Sequence, residues 1–233
     1  MTSGGSRTGL DAMTVKEVTT RRGAESEQAI LDAARDILAD RGIEGLSMRS
    51  VGERVGVSAT AIYRYFANKE ALVSRVVERG FQRFGEYLRE AGERHPRGSL
   101  ERLSALGEAY LRFALENQAY FRVLFSLDHP DRQAVEDLPE GGGHGLLRRA
   151  VLEAMDAGVM RRADPETVAM FLWSIAHGLV TLSLTCRIDE CPEFRHGPVL
   201  GPVDLFAAFG PFVRHGLATA QERDAGPGEG GAA

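Results

Sequence analysis

The sequence predicts an all-α fold, with a small three-helix N-terminal unit, a larger C-terminal helical unit, and about nine helices in all. Three observations predict it. No stretch alternates apolar and polar residues with the period of two that a half-buried strand requires. Apolar residues recur instead three and four positions apart, so that they share one face of a helix. Between Leu46 and Leu72, two short periodic stretches are separated only by a turn at Gly56, the pattern of two helices set at an angle.

Composition sets the outer bounds. The chain has 233 residues, of which 43% are hydrophobic, enough to build a core in one large or two small domains. No run of 18 or more apolar residues occurs, and the N-terminus lacks the charged and apolar regions of a secretory signal, so a cytoplasmic protein with no membrane partner is expected. The two cysteines, Cys186 and Cys191, suit that compartment as free thiols. Net charge is −5, but it is unevenly spread. From Arg49 to Arg83 seven basic residues face three acidic ones, giving +4 and leaving −9 for the remainder. A locally basic region on an acidic chain is an electrostatic footprint for a polyanion.

In chain order, residues 1–24 are rich in Ser, Thr and Gly without periodicity and are read as a disordered arm. A first helix follows from about Ser26 to Asp40, with Ile30, Ala34, Ile37 and Leu38 inward, and Arg41-Gly42 ends it. Ser47 is placed to cap a second helix carrying Val51 and Val55. Gly56 turns the chain, and Ser58 caps a third helix with Ile62 and Phe66 inward. That leaves Ala59, Thr60, Tyr63 and Arg64 outside, a mixture of small, hydroxylic, aromatic and cationic groups suited to a DNA major groove. The three helices form a helix-turn-helix domain over residues 25–68.

The stretch GVSATAIYRYFANKEAL resembles the signature of the TetR family of bacterial transcriptional regulators, in its Gly-Val-Ser turn, Tyr-x-Tyr-Phe end and Asn-Lys-Glu-x-Leu opening of the next helix. By that resemblance Ser47, Arg49, Tyr63, Tyr65 and Lys69 match positions that touch the DNA backbone or nearby bases. Ser58, Ala59, Thr60 and Arg64 match positions in or beside the groove. Gly52 departs from the family's usual alanine; both are small enough for a close helix crossing, although glycine inside a helix costs about 1 kcal/mol relative to alanine. The resemblance implies double-stranded operator DNA as a partner, a small-molecule effector, and no cofactor.

From Asn68 a long helix carries Leu72, Val76, Val77, Phe81, Phe84 and Leu88 and ends before Pro96. It opens an effector-binding and dimerisation domain expected over residues 69–222. Ser99 caps a helix with Leu103, Leu106, Tyr110, Phe113 and Ala114 inward, and an aromatic segment follows at Tyr120 to Phe125. Residues 126–144 read as a loop, and Leu146 to Met160 as a helix. Asp164-Pro165 opens a helix to Thr185 that is apolar on nearly every side and must be buried from two directions. Its Trp-x3-His-Gly pattern at Trp173, His177 and Gly178 resembles one subgroup of TetR-type C-terminal domains. A final helix runs from about Pro202 to Gln221, and residues 223–233 read as a disordered tail.

Two site assignments follow. Phe206, Phe209, Val213 and Leu217 share one face of the final helix, and the last two helices are expected to pair with their symmetry mates in a homodimer. Phe113, Phe121, Phe125, Met155, Met170 and Trp173 are large or soft apolar side chains expected around one effector volume, with Tyr110, His177 and Thr181 as polar anchors. Core packing accounts for each of these taken singly; the family resemblance is what implies a cavity. No nucleophile or carboxylate is placed by spacing beside His177, and no metal-ligand spacing occurs, so neither an enzyme nor a metal protein is expected. The competing class is a helical protein-interaction module without DNA binding.

Overall fold

The computed structural model describes residues 15–125, 142–185 and 201–218. Cys186, Cys191, residues 126–141 and residues 219–233 lie outside the described residues, as do residues 1–14 of the expected arm. The described residues form nine helices: α1 (Val15–Gly45), α2 (Met48–Val55), α3 (Ala59–Ile62), α4 (Lys69–Glu93), α5 (Leu100–Glu116), α6 (Gln118–Phe125), α7 (Gly143–Asp156), α8 (Pro165–Thr185) and α9 (Pro202–Leu217). Among them the only β-type pairing is an isolated antiparallel bridge between Met160 and Ala218. The chain divides into two compact units between Val76 and Val77, inside α4.

In the first unit, α1 begins at Val15, within the stretch expected as an arm, and no proline interrupts residues 15–45. The helix breaks at Gly42, whose φ of 64° suits glycine. Ile30, Ala34 and Ile37 are buried as the stripe predicts. Helix α2 packs on both α1 and α3, and Val51 and Ile62 are fully buried at that junction. The Ser47 hydroxyl accepts from Ser50 N at 3.0 Å and the Ser50 hydroxyl accepts in return from Ser47 N at 2.9 Å, so two free donors at the start of α2 are satisfied. At its other end Gly56 adopts φ 81° and its N–H bonds to Gly52 O at 2.8 Å.

That turn closes more tightly than the sequence suggests. A Cβ on Gly52 would lie 2.7 Å from Val57 O, so alanine does not fit there without a backbone shift, and the expectation that either small residue serves is corrected. Helix α3 is also shorter than expected. After Ile62 the chain tightens, with Tyr65 N bonded to Ile62 O at 2.9 Å, and Phe66 is buried where the period places it. Asn68 then caps α4, its Oδ1 accepting from Ala71 N at 2.8 Å.

In the second unit α5 is central and packs on α6, α7, α8 and α9. Phe113, Leu111 and Ala109 on it are wholly buried. Helix α7 starts at Gly143, earlier than the loop reading allowed, because Gly143 meets the Phe84 ring. It ends at Asp156, short of the expected Met160, since Met160 leaves the helix to pair with Ala218, and Arg161 N donates to Leu217 O at 2.9 Å. Helix α8 has a mean hydropathy of 1.6 and is long and apolar enough to cross a membrane by length and composition. In the single chain one of its faces is open: Met170, Phe171 and Leu182 are exposed by 45%, 49% and 46%.

Candidate functional site

Two sites emerge, one in each unit. In the first, Ser58 before α3, Thr60 on it, and Tyr63 and Arg64 just after it are presented to solvent, with Tyr63 exposed by 55%. Ala59 and Tyr65 are half-buried beside them. Tyr63 sits on an element anchored by the buried Ile62 and Phe66. Ser58 also works within the fold, its Oγ accepting from Ala61 N at 3.3 Å. Ser47 is exposed but used as a cap, and Arg49 is exposed with its Nε 2.9 Å from Glu53 Oε1. Such a surface pair contributes little stability and gives up its arginine easily to a phosphate. Lys69 is half-buried, and its Nζ donates to Ile43 O at 2.7 Å. This ties the start of α4 to the end of α1, just past its break at Gly42, and the ammonium keeps two further donors.

The second unit holds a cavity of about 680 Å³, inside the range of roughly 300–1,000 Å³ usual for small-molecule sites. Its wall takes Phe81, Phe84 and Leu88 from α4, Leu103 and Tyr110 from α5, and Phe125 from α6. Helix α7 adds His144 and Leu147, α8 adds Leu172 and Trp173, and α9 adds Phe206, Phe209, Val213, Arg214 and Leu217. Helix α9 comes very close to α5, for a Cβ on Gly107 would overlap the Phe206 ring at 2.1 Å. Of the residues expected around an effector, Tyr110, Phe125 and Trp173 are brought to this wall. Phe113, Phe121 and Met155 are buried in packing, Phe113 with its ring centroid 5.0 Å from that of Phe84. Met170 and Thr181 face solvent.

His177 stands behind the wall in an aromatic cluster, 5.6 Å from both Trp173 and Phe121. Its Nδ1 lies 2.7 Å from Tyr110 Oη. Burial pushes the Tyr110 phenol far above its usual range, partly offset by a hydrogen bond from Trp173, and burial also lowers the His177 pKa. Both groups are therefore neutral near pH 7. The Tyr110 hydroxyl and His177 Nδ1 share a hydrogen bond whose donor is set by the histidine tautomer.

The residues expected at a dimer contact, Phe206, Phe209, Val213 and Leu217, all reach the cavity wall. Phe209 and Val213 also border a second apolar groove of about 300 Å³, together with Phe171, Ile175 and Phe212. Phe212 is exposed by 77%, more than any other large apolar side chain among the described residues. The sequence reading missed Phe171 and Phe212, although their spacing from Ile175 and Phe209 on two apolar helices is the signal that could have found them. It also passed over Phe84, Leu88 and Arg214 as cavity residues. Among the described residues no group of three or more His, Cys, Asp or Glu could hold a metal ion.

Comparisons with known proteins place one family profile on each unit. A family profile described as "Bacterial regulatory proteins, tetR family" matches residues 30–76. A second, "Tetracyclin repressor-like, C-terminal domain", matches residues 103–194, and the two together span more than half of the chain. The HTH-type transcriptional repressor AcnR of Corynebacterium glutamicum is 28% identical over 167 residues, 71% of this chain and 85% of that repressor. Among solved structures, a protein of unknown function from Rhodococcus sp. RHA1 has a TM-score of 0.65 and 26% identity, over 83% of this chain and 96% of that one. The ketosteroid transcriptional regulator KstR2 of Mycobacterium tuberculosis shares the fold at TM-score 0.61 and 19% identity, over 83% of this chain and 95% of that one. With a matching profile on each unit and a repressor aligned over 71% of its length, the chain belongs to the TetR family of bacterial transcriptional regulators.

Proposed function

We propose that the chain is a cytoplasmic, ligand-responsive repressor that binds a pseudo-palindromic operator as a homodimer and leaves it when a small, largely apolar effector fills the cavity. The observation that carries this reading is the cavity itself, in a chain whose other unit is a helix-turn-helix. A helical core packed only for stability has few voids larger than a water molecule, whereas this one encloses about 680 Å³. Repression, as opposed to activation, follows the similarity to AcnR. The Trp-x3-His-Gly pattern at Trp173, His177 and Gly178 supports a C-terminal unit of that subgroup.

Helix α4 supplies the connection between ligand and DNA. It begins at Lys69, which is tied to Ile43, and it gives Phe81, Phe84 and Leu88 to the cavity wall. A ligand pressing on those side chains therefore acts on the same helix that carries Lys69. The open apolar face of α8 and α9, with Phe171 and Phe212 at its centre, supports an isologous four-helix contact that sets two recognition elements roughly 34 Å apart.

Binding to DNA from upstream of the gene, measured beside a scrambled duplex of the same composition, tests this reading. Preference for the upstream DNA should persist as salt rises from about 50 to 200 mM while binding to the scrambled duplex is lost. Equal binding to both duplexes at every salt concentration would rule out a specific regulator.

A further inference from the structure

We infer that the effector is an amphipathic monoanion, a carboxylate on an apolar body, and that its head is bound by the guanidinium of Arg214. This rests on the reading of the cavity as an effector site and adds the chemistry of the ligand.

Arg214 lies in the last turn of α9, half-buried, and is the only arginine or lysine in the cavity wall among the described residues. Elsewhere in this unit the largely buried Arg102 bonds to Gly92 O, and the exposed Arg97 and Arg148 lie 2.8 Å from Glu153 and 3.1 Å from Glu166. Among the described residues no carboxylate pairs with Arg214, and none of its N–H groups meets an acceptor. A guanidinium set in a wall of Phe, Leu and Val loses hydration without recovering hydrogen bonds. A carboxylate restores two of them at once, because its oxygens match the arginine fork.

The other ionisable groups in the wall leave that place to Arg214. His144 is held by Glu166 at 3.1 Å. His215 is exposed on the neighbouring helix position. Glu108 is exposed and accepts from the Ser104 hydroxyl at 3.4 Å, one turn back on its own helix. Tyr110 Oη is hydrogen-bonded to His177 Nδ1 at 2.7 Å, and this neutral pair offers no charge to an anionic head. Arg214 is eight residues from Phe206, about 12 Å along the helix axis. Phe206 abuts Gly107, with Tyr110 one turn further along α5, so the wall between head and tail is apolar over that length.

The test compares decanoate with decanol and decylamine, each below its aggregation concentration, by calorimetry and thermal shift on the full chain. Decanoate should bind about tenfold or more tightly than decanol, and decylamine most weakly. Arg214→Gln should bring decanoate to parity with decanol while decanol binding is kept, which also shows that the variant is folded. Arg214→Lys, retaining the charge, should keep the preference for the acid, and it decides the matter if the glutamine variant binds neither compound. Decanol binding as tightly as decanoate, or Arg214→Gln preserving the preference, overturns this inference and leaves the effector cavity standing. If none of the three compounds binds wild-type protein, the effector reading of the cavity falls with it.

Discussion

The two units solve the problem of presenting a site in opposite ways. In the helix-turn-helix, each exposed residue is positioned by chain neighbours within a few positions: the Ser47 and Ser50 exchange, the Gly56 turn, the Ser58 cap, and Ile62 and Phe66 as anchors. In the second unit, the cavity wall is gathered from six helices whose contributors lie as far apart in sequence as Phe81 and Leu217. A locally specified site is rigid and tolerates little change in its turn. A site gathered from packing can leave space, and space is what a ligand needs. If that contrast is right, substitutions in the first unit should change affinity for DNA, and substitutions in the second should change oligomeric state, ligand response or pH dependence.

The largest effect is expected at the open face of α8 and α9. Phe171→Asp combined with Phe212→Asp places charges on both helices of the proposed dimer contact, and light scattering should fall from twice 25.3 kDa to 25.3 kDa. Operator affinity should drop by about a hundredfold or more, since two linked half-sites supply avidity of that order. A double variant that remains dimeric places the contact elsewhere.

Next come the recognition residues. Tyr63→Ala should weaken binding to every duplex by about tenfold, because an exposed ring beside the backbone carries no base information. Thr60→Val should instead shift which base is preferred, as read by competition among operator variants. A uniform loss from Thr60→Val would remove it from the groove.

Legibility divides along the same line. Every cap and turn of the helix-turn-helix could be read from Ser47, Gly56, Ser58 and Asn68, since each acts within four residues of its own position. What could not be read there was tightness. Only the approach of Val57 O to Gly52 shows why alanine does not fit. In the second unit the inward stripes of α4 and α5 were legible, but periodicity reports a face and not what the face meets. Phe113 and Tyr110 lie on the same helix and both pack against Phe84, yet only Tyr110 also borders the cavity. Phe206 and Val213 were assigned to a dimer contact for their apolar spacing, yet the Gly107 gap that admits the Phe206 ring lies about a hundred residues earlier in the chain.

Gly52→Ala follows in size. The added methyl should lower stability by about 1–3 kcal/mol by overpacking the turn, seen as a lower Tm with DNA affinity reduced in step. An unchanged Tm would show that the turn relaxes freely. The smallest effect is expected at His177. Burial lowers its folded pKa beneath the ordinary 6.5, so as pH falls the unfolded chain takes the proton first. Stability should be complete above about pH 6.5 and decline as pH drops toward the folded value, and His177→Gln should remove that part of the decline. Identical acid profiles for the two proteins would mean that His177 is not held neutral by its surroundings.

The central claim is that the cavity and the DNA surface report to each other, and reciprocal affinity measures it most directly. A compound that raises the Tm of wild-type protein, but not of Trp173→Ala, is titrated against protein with and without operator, and operator is titrated with and without the compound. Ligand and operator should weaken each other by the same factor, about tenfold or more, because coupling between two sites is symmetric. Operator affinity that stays unchanged at saturating compound would show that the cavity has no hold on the DNA-binding unit, and the account would be wrong.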